Sequence, residues 1–343
     1  MKKLIAGLLA AALSLSLAAC GQSPASSSGT PPASGAASAS QSGEGSDYPS
    51  KPIQMLIPTK PGGDVDTNGR LLSKNIEPYL GTTLVPVNVD GGGGGIAMQQ
   101  VSEAAPDGYT FFYYNYAMFT SAVVEKLSYT YTDFKPVVMT STADTQILVV
   151  SADSPYQTVD DLVKAITEQP GSVRFAATYG APSQFHADAI EAATGGEFKK
   201  IDVSSGADKI VSLLSGEIDV LSTTTGLIKD YISSGKVTVL GSLCKERSAL
   251  APDIPTFTEQ GVDLGEGFET GFVLYAHKDT PQYVIDKMVK AVEEMMANDE
   301  CVQEFANSGF SPEVLSGEEL DERLQTMNDY YFGMKELVTG DQF

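Results

Sequence analysis

Pro58-Thr59-Lys60-Pro61-Gly62-Gly63-Asp64-Val65-Asp66-Thr67 stands between an apolar run, Ile53 to Ile57, and a helical pattern carrying Leu71, Leu72 and Ile76. A strand that passes through a glycine turn into a helix is the unit from which α/β proteins are built. Two glycines let the backbone turn tightly, and the start of the helix leaves amides without partners inside it. Those amides and the positive end of the helix dipole point the same way, so the loop suits an anion. The arrangement recurs at once. Asn88-Val89-Asp90-Gly91-Gly92-Gly93-Gly94-Gly95 leaves a second strand, Thr83 to Val87, and enters a helix with Ile96, Val101 and Ala104. Taken singly, either loop is equally a floppy turn. Neither is a nucleotide motif: the first lacks a Gly-Lys-Ser/Thr ending, and the second lacks a spaced G-x-G-x-x-G with its following acidic residue.

Farther along, apolar runs keep alternating with amphipathic helices, the pattern of an α/β protein with mainly parallel sheets. Strands are predicted at Thr110 to Tyr114, Val137 to Thr140, Ile147 to Val150, Val173 to Ala177, Asp219 to Ser222, Val237 to Leu243 and Gly271 to Ala276. Helix starts are marked by Thr158 with Asp161, by Thr280-Pro281, and by Ser316 with Glu319. The stripe Leu320, Leu324, Met327 and Tyr331 after the last of these has helical spacing and reads as core packing. The aromatic run Phe111 to Tyr114 reads as a buried strand, whose end at Asn115 and Tyr116 is a candidate for a cleft.

The chain opens with Met1-Lys2-Lys3 and an apolar run from Leu4 to Ala19 that stops at Cys20. This is a secretory signal, shorter than the roughly 20 apolar residues of a spanning helix. Leu17-Ala18-Ala19-Cys20 resembles the bacterial lipobox, which implies removal of residues 1–19 and lipidation of Cys20. Residues 20–47 are then a Ser/Gly/Ala/Pro tether, spanning about 30 Å on average as a coil. The body can hold one large domain or two of ordinary size.

With 44 acidic and 22 basic residues the formal net charge is -22, which disfavours nucleic acid, since phosphate binding rests on Lys and Arg. Only two histidines, His186 and His277, and three cysteines are present. A transition-metal site, a cofactor and a Ser-His catalytic pair are therefore not expected. Cys244 and Cys301 either form a disulfide or stay as buried thiols.

At this point the order of motifs carries a resemblance. Tyr48-Pro49-Ser50-Lys51-Pro52-Ile53 opens it, followed by Pro61-Gly62-Gly63 with Asp66 and Arg70, then Asn88, Gly91, Gly93 and Gly94. Ala105-Pro106-Asp107-Gly108-Tyr109-Thr110 and Asp133-Phe134-Lys135-Pro136-Val137 come next, and Gly180 with Ser183 and His186 after them. Leu213-Leu214-Ser215-Gly216-Glu217-Ile218-Asp219 and Pro252-Asp253-Ile254-Pro255-Thr256-Phe257 complete the series. From Tyr48 to about Val338 the chain resembles the solute receptors of the tripartite tricarboxylate transporters, the Bug family. The resemblance implies a two-lobed type II periplasmic-binding (venus-flytrap) fold, with residues 48–146 and 268–343 in the first lobe and 147–267 in the second. It implies a receptor rather than an enzyme, one that captures a small carboxylate or amino-carboxylate between the lobes and passes it to integral membrane transporter subunits; with the lipobox the protein is an extracytoplasmic lipoprotein, and a monomer is the default expectation. A lipoprotein sensor read by a membrane kinase is the alternative.

Ligands of such folds lie outside strand ends at the lobe boundary. The candidate binding residues are Lys60, Gly62, Gly63, Asp64, Val65 and Asp66 in the first loop, Gly91, Gly92 and Gly93 in the second, Asn115, and Thr178, Ser183 and Gln184 from the second lobe. Some residues depart from the family pattern. Lys60 and Asp64 stand where small uncharged residues are usual, Asp90 replaces a proline, and Asp202-Val203-Ser204-Ser205-Gly206 replaces Val-Pro-Tyr-Lys-Gly. Asp64 and Asp90 would repel a bare carboxylate unless they point away, meet a cation or recognise an amino group, which would make the ligand an amino-carboxylate. Asp66 and Arg70 are expected to pair at i, i+4. Lys60 is either a solvated loop lysine or a partner for one ligand charge, and Ser183 either a cap for backbone amides or a ligand donor.

Overall fold

The computed structural model describes residues 47–340 apart from Ser204. The expected signal segment, Cys20 and almost all of the tether lie outside the described residues. The chain begins with β1 (Ile53–Ile57), α1 (Asp64–Leu80), β2 (Leu84–Asn88), α2 (Gly95–Glu103), β3 (Thr110–Asn115), α3 (Ala117–Val123) and β4 (Phe134–Ala143). It continues through β5 (Gln146–Ser151), α4 (Val159–Glu168), β6 (Arg174–Ala177), α5 (Pro182–Thr194), β7 (Lys199–Asp202), α6 (Gly206–Ser215), β8 (Val220–Thr224), α7 (Thr225–Ser233) and β9 (Val237–Ser242). β10 (Thr270–His277), α8 (Gln282–Met296), α9 (Asp299–Asn307), β11 (Ser311–Leu315), α10 (Gly317–Gly333) and α11 (Lys335–Gly340) follow.

Two sheets result, in the order β11-β4-β10-β3-β1-β2 and β7-β6-β8-β5-β9. Helices flank both, as in a two-lobed periplasmic-binding fold. The chain leaves the first sheet through Asp144 and Thr145, between β4 and β5, and returns through the segment between β9 and β10. The sheets are mixed, with less parallel pairing than the helix-and-strand alternation suggests. β1 runs parallel to β2 and β3, and β6 parallel to β7 and β8, but β10 is antiparallel to both β3 and β4, and β5 to both β8 and β9. β11 is also antiparallel to β4, and the other two antiparallel strands, β5 and β10, are those at which the chain enters from the other sheet. A strand entering from the other sheet is not bound by the right-handed crossover that makes consecutive βαβ strands parallel.

Local chemistry accounts for the elements. Thr158 accepts from the Asp161 amide and Asp161 returns the bond, closing a capping box at the start of α4. Pro281 precedes α8, where its missing N-H costs nothing. Ser316 precedes α10 without the expected side-chain cap. Phe111, Phe112 and Tyr113 are wholly buried, and Phe112 stacks on Tyr275 at 4.8 Å. Met327 and Tyr331 are core residues of α10. Cys244 and Cys301 are both free and buried, which resolves the thiol question against a disulfide.

Candidate functional site

A cavity of about 290 Å³ opens between elements of the two sheets. The first-sheet side supplies Thr59, Asp64 and Val65 at the start of α1, Asn115 at the end of β3, and Ala117 at the start of α3. The second supplies Ala181, Pro182, Ser183 and His186 from α5, Gly206 and Lys209 from α6, and Ser222 to Thr224 with Leu227 around the start of α7. Gln146 and Thr270, at the first residues of β5 and β10, close it where the chain passes between sheets.

Five helices thus begin at one cavity; no side chain caps α1, α5 or α7, while Asn115 Oδ1 accepts from the Ala117 amide at the start of α3 at 3.1 Å. Uncapped helix starts present amides and a partial positive charge. Their signs differ in one respect. α1 carries Asp64 and Asp66 in its first turn, which offset its dipole, whereas α3, α5 and α7 carry no acidic residue there. The loop that the sequence marks as an anion cradle is therefore the least anion-seeking of the four, and the positive wall is that of the second sheet.

Lys209 is central to that wall. It is 9% exposed, and its Nζ donates to Ser183 Oγ at 2.7 Å. Burial pulls the ammonium down to about 8, against the attraction of Asp202 and Asp64. Burial likewise pushes the Asp64 carboxyl up, with its own amide and Lys209 opposing the shift. His186, 3% exposed, is pushed down to about 3, first by burial and then by Lys209, so its imidazole is neutral. Its ring meets Phe268 edge-on at 4.6 Å. Among the described residues, three buried polar atoms on the cavity wall have no hydrogen-bond partner: Thr59 Oγ1, His186 Nδ1 and Ser222 Oγ. Such atoms cost about 1–3 kcal/mol each unless something meets them, so the wall is built to receive polar groups.

The neutral imidazole has a consequence for acid stability. A base whose folded pKa lies below its unfolded value binds fewer protons when folded, so stability is full above about 6.5 and is lost as pH falls towards about 3. Over that window His186 should contribute a slope of up to about 1.4 kcal/mol per pH unit. Urea midpoints between pH 7 and 4.5 should therefore fall less steeply for His186→Gln than for the parent chain; parallel slopes would show that the histidine does not titrate in this way.

Of the thirteen sequence-designated residues, Asp64, Val65, Asn115 and Ser183 line the cavity. The others are held elsewhere. Lys60 is exposed, and Gly62 and Gly63 form the turn before α1, with the Gly62 amide donating to Asp66 at 2.9 Å. Asp66 also pairs with Arg70 at 2.9 Å, as its spacing implies, and accepts from Asn88 at 2.8 Å; it braces the two loops together. Burial opposes this charge, but the bonds from Arg70, Gly62 and Asn88 hold the carboxyl below its usual range. Gly91, Gly92 and Gly93 turn away from the cavity: a side-chain carbon at Gly93 would meet Ser121 Oγ at 2.8 Å, and the Gly93 carbonyl accepts from Tyr114. Thr178 donates through Oγ1 to the Val203 carbonyl, and its amide donates to Ser183 Oγ. Gln184 is fully buried, accepting from the Gly180 amide and donating to the Val338 carbonyl at 2.9 Å.

Ser183 joins the two roles left open for it, since its oxygen accepts from an amide and from Lys209 while lining the cavity. Sequence reasoning missed Lys209, Thr270, Gln146 and the Ser222 to Thr224 segment. Lys209 left one signal: it falls in the first turn of α6, four residues before the buried Leu213, on the stripe that should be apolar. A cation there opposes the dipole and is buried, two costs that call for a partner. Among the described residues, no group of three or more His, Cys, Asp or Glu side chains is arranged to hold a metal ion. No helix among them is long and apolar enough to cross a membrane.

Comparison with known proteins agrees with this fold. Residues 69–328 match the profile of the tripartite tricarboxylate transporter family receptors. A UPF0065 protein of a Pseudomonas species is 28% identical over 281 residues, covering 78% of this chain and 82% of the relative. The periplasmic binding protein BugD superposes with a TM-score of 0.75 at 25% identity, over 85% of this chain and 99% of BugD. An R. palustris protein solved with adipate shares the fold at 20% identity, with a TM-score of 0.78 over 85% and 99% of the two chains.

Proposed function

Because the chain belongs to the tripartite tricarboxylate transporter family of receptors, we propose that it captures a small organic acid in the cavity between its two sheets and delivers it to the integral membrane subunits of such a transporter. One observation carries the ligand class: uncapped helix starts converge with buried Lys209 on a cavity whose wall holds unpartnered buried polar atoms. Hydrogen bonds to a charged group are worth about 1.5–3 kcal/mol each, so a few of them on one carboxylate support the roughly 8 kcal/mol of micromolar affinity. Asp64, Val65, Asn115, Ser183 and Lys209 are the proposed contacts. Adipate, bound by the R. palustris neighbour, is an acid of the same general class.

The receptor works outside the cytoplasmic membrane as a monomer. Its lobes comprise residues 48–146 with 268–343, and 147–267, a division supported by the strand membership of the two sheets. A lipid on Cys20 and the tether to residue 47 would hold it at the membrane while leaving it free to reach its partner. Two measurements test this reading. A thermal-shift screen of the intact chain against mono-, di- and tricarboxylates and amino acids should raise the melting midpoint with at least one acid, as a ligand at a hundredfold excess over Kd stabilises by about 2.7 kcal/mol. Absence of any shift would count against the receptor reading. Cys20→Ser should move the chain from the membrane fraction to the soluble one; an unchanged distribution would remove the anchor.

A further inference from the structure

The cavity holds two opposite charges on opposite walls. Asp64 belongs to the start of α1 on the first-sheet side, and Lys209 to the start of α6 on the second. His186, the remaining titratable group of the lining, is neutral at working pH. The formal charge of the lining therefore sums to zero, and Asp202, outside the lining, adds a second attraction on Lys209. A bound molecule taken out of water must have its own charges met one by one, because an unpaired buried charge is among the most costly arrangements a protein can contain.

The rest of the wall follows the same polarity. On the second-sheet side, α5 and α7 begin without a capping side chain and without an acidic residue in the first turn, and Ser183 Oγ stands beside the ammonium of Lys209. That side favours an anion. On the other side, Asp64 and Asp66 offset the positive end of α1, and Asp66 is already engaged by Arg70, Asn88 and the Gly62 amide. Asp64 is left as the acceptor facing the cavity. His186 Nδ1 and Ser222 Oγ, both buried and without partners, add polar contacts on the second-sheet side. Among the described residues, no aromatic ring other than that imidazole lines the space.

Resting on the receptor reading above, we propose that the ligand is a zwitterionic amino acid with a small or polar side chain, its carboxylate on Lys209 and the starts of α5 and α7 and its ammonium on Asp64. A ligand of this class leaves the lining neutral, with each of its charges beside its opposite. An acid of the same skeleton without the amine would leave half-buried Asp64 with no cation of its own and would bring a further negative charge towards it.

The test is isothermal titration of the intact chain with matched pairs: L-aspartate against succinate and L-malate, L-glutamate against glutarate, and L-serine against glycerate. At least one amino acid should bind ten times or more tighter than its amine-free counterpart. Asp64→Asn, which keeps size and helix-start compatibility, should cut the affinity for that amino acid at least tenfold and narrow or reverse the preference. An amine-free acid that binds as well as its amino partner in the parent chain would overturn the inference while leaving the receptor intact, and that comparison needs no variant. A preference unchanged in Asp64→Asn would equally overturn it. Heat from none of the acids, with or without an amine, would remove both the inference and the receptor reading beneath it.

Discussion

Lys209→Met should weaken acid binding by about 2–4 kcal/mol, roughly 30- to 700-fold, because it removes the cation from a buried charge pair and leaves the ligand carboxylate to the helix amides alone. The same substitution should not weaken the unliganded fold. Lys209 is a lysine whose folded pKa, about 8, lies below its ordinary value of 10.5. Such a group carries its burial penalty in full at neutral pH and sheds it as pH rises through that interval. Methionine has a similar length and no charge to desolvate, so the melting midpoint of the unliganded variant at pH 7 should equal or exceed that of the parent. Between pH 8 and 10.5 the parent should gain stability on the variant. Calorimetric titration for binding, with melting curves across pH for stability, separates the two effects. Binding and stability that fall together would mean that Lys209 is a packing residue, and undiminished binding would remove it from the site.

Gly180→Ala should also weaken binding strongly, for a reason remote from any ligand contact. Gly180 has φ +70°, and a side-chain carbon there would lie 2.3 Å from Val124 Cγ2 and 3.1 Å from Lys126 Nζ. Val124 and Lys126 belong to the first-sheet part of the chain, while Gly180 lies in the loop that carries Ala181, Pro182 and Ser183 to the cavity. That loop is held against the other part through the bond from Lys126 to the Tyr179 carbonyl and through Gln184, whose Nε2 donates to the Val338 carbonyl. An added methyl carries two penalties. The left-handed backbone costs about 1–2 kcal/mol wherever the lobes stand. The collision costs about a further 1–3 kcal/mol only while the two parts touch, and so weakens binding by about 5- to 150-fold. Gly171 supplies the control, since it has φ +71° and a side-chain carbon there would meet nothing within 4 Å. Gly171→Ala should lower the melting midpoint and leave affinity unchanged, whereas Gly180→Ala should lower both. Equal affinity in the two variants would show that contact between loop 179–184 and residues 124–126 has no part in binding.

The strands show what a linear reading can reach. Ile53 to Ile57 is recovered with the same limits, and the other eight predicted strands lie within a few residues of those observed. The two that escaped, Lys199–Asp202 and Ser311–Leu315, are both edge strands of their sheets. Their side chains are half-exposed or exposed, and Pro312 stands in one of them, so the apolar alternation that marks an interior strand is missing. The Asp66–Arg70 pair was legible for the opposite reason: its partners lie one helical turn apart, and local geometry is enough to join them.

The cavity required more. Its wall draws on residues as distant in the chain as Thr59 and Thr270, so no local pattern could show that Lys209 meets Ser183 or that Gly91, Gly92 and Gly93 turn elsewhere. Alternation of apolar runs, caps and glycine turns determined the α/β class and most of the order of elements, because each depends on residues a few positions apart, and the family entered through the resemblance of the motif series. Tertiary structure decided which helix starts share a cavity and which of them remain anion-seeking once Asp64 and Asp66 are counted. It also decided which charges are buried. Desolvation depends on everything packed around a group, and the groups around Lys209 come from both sheets.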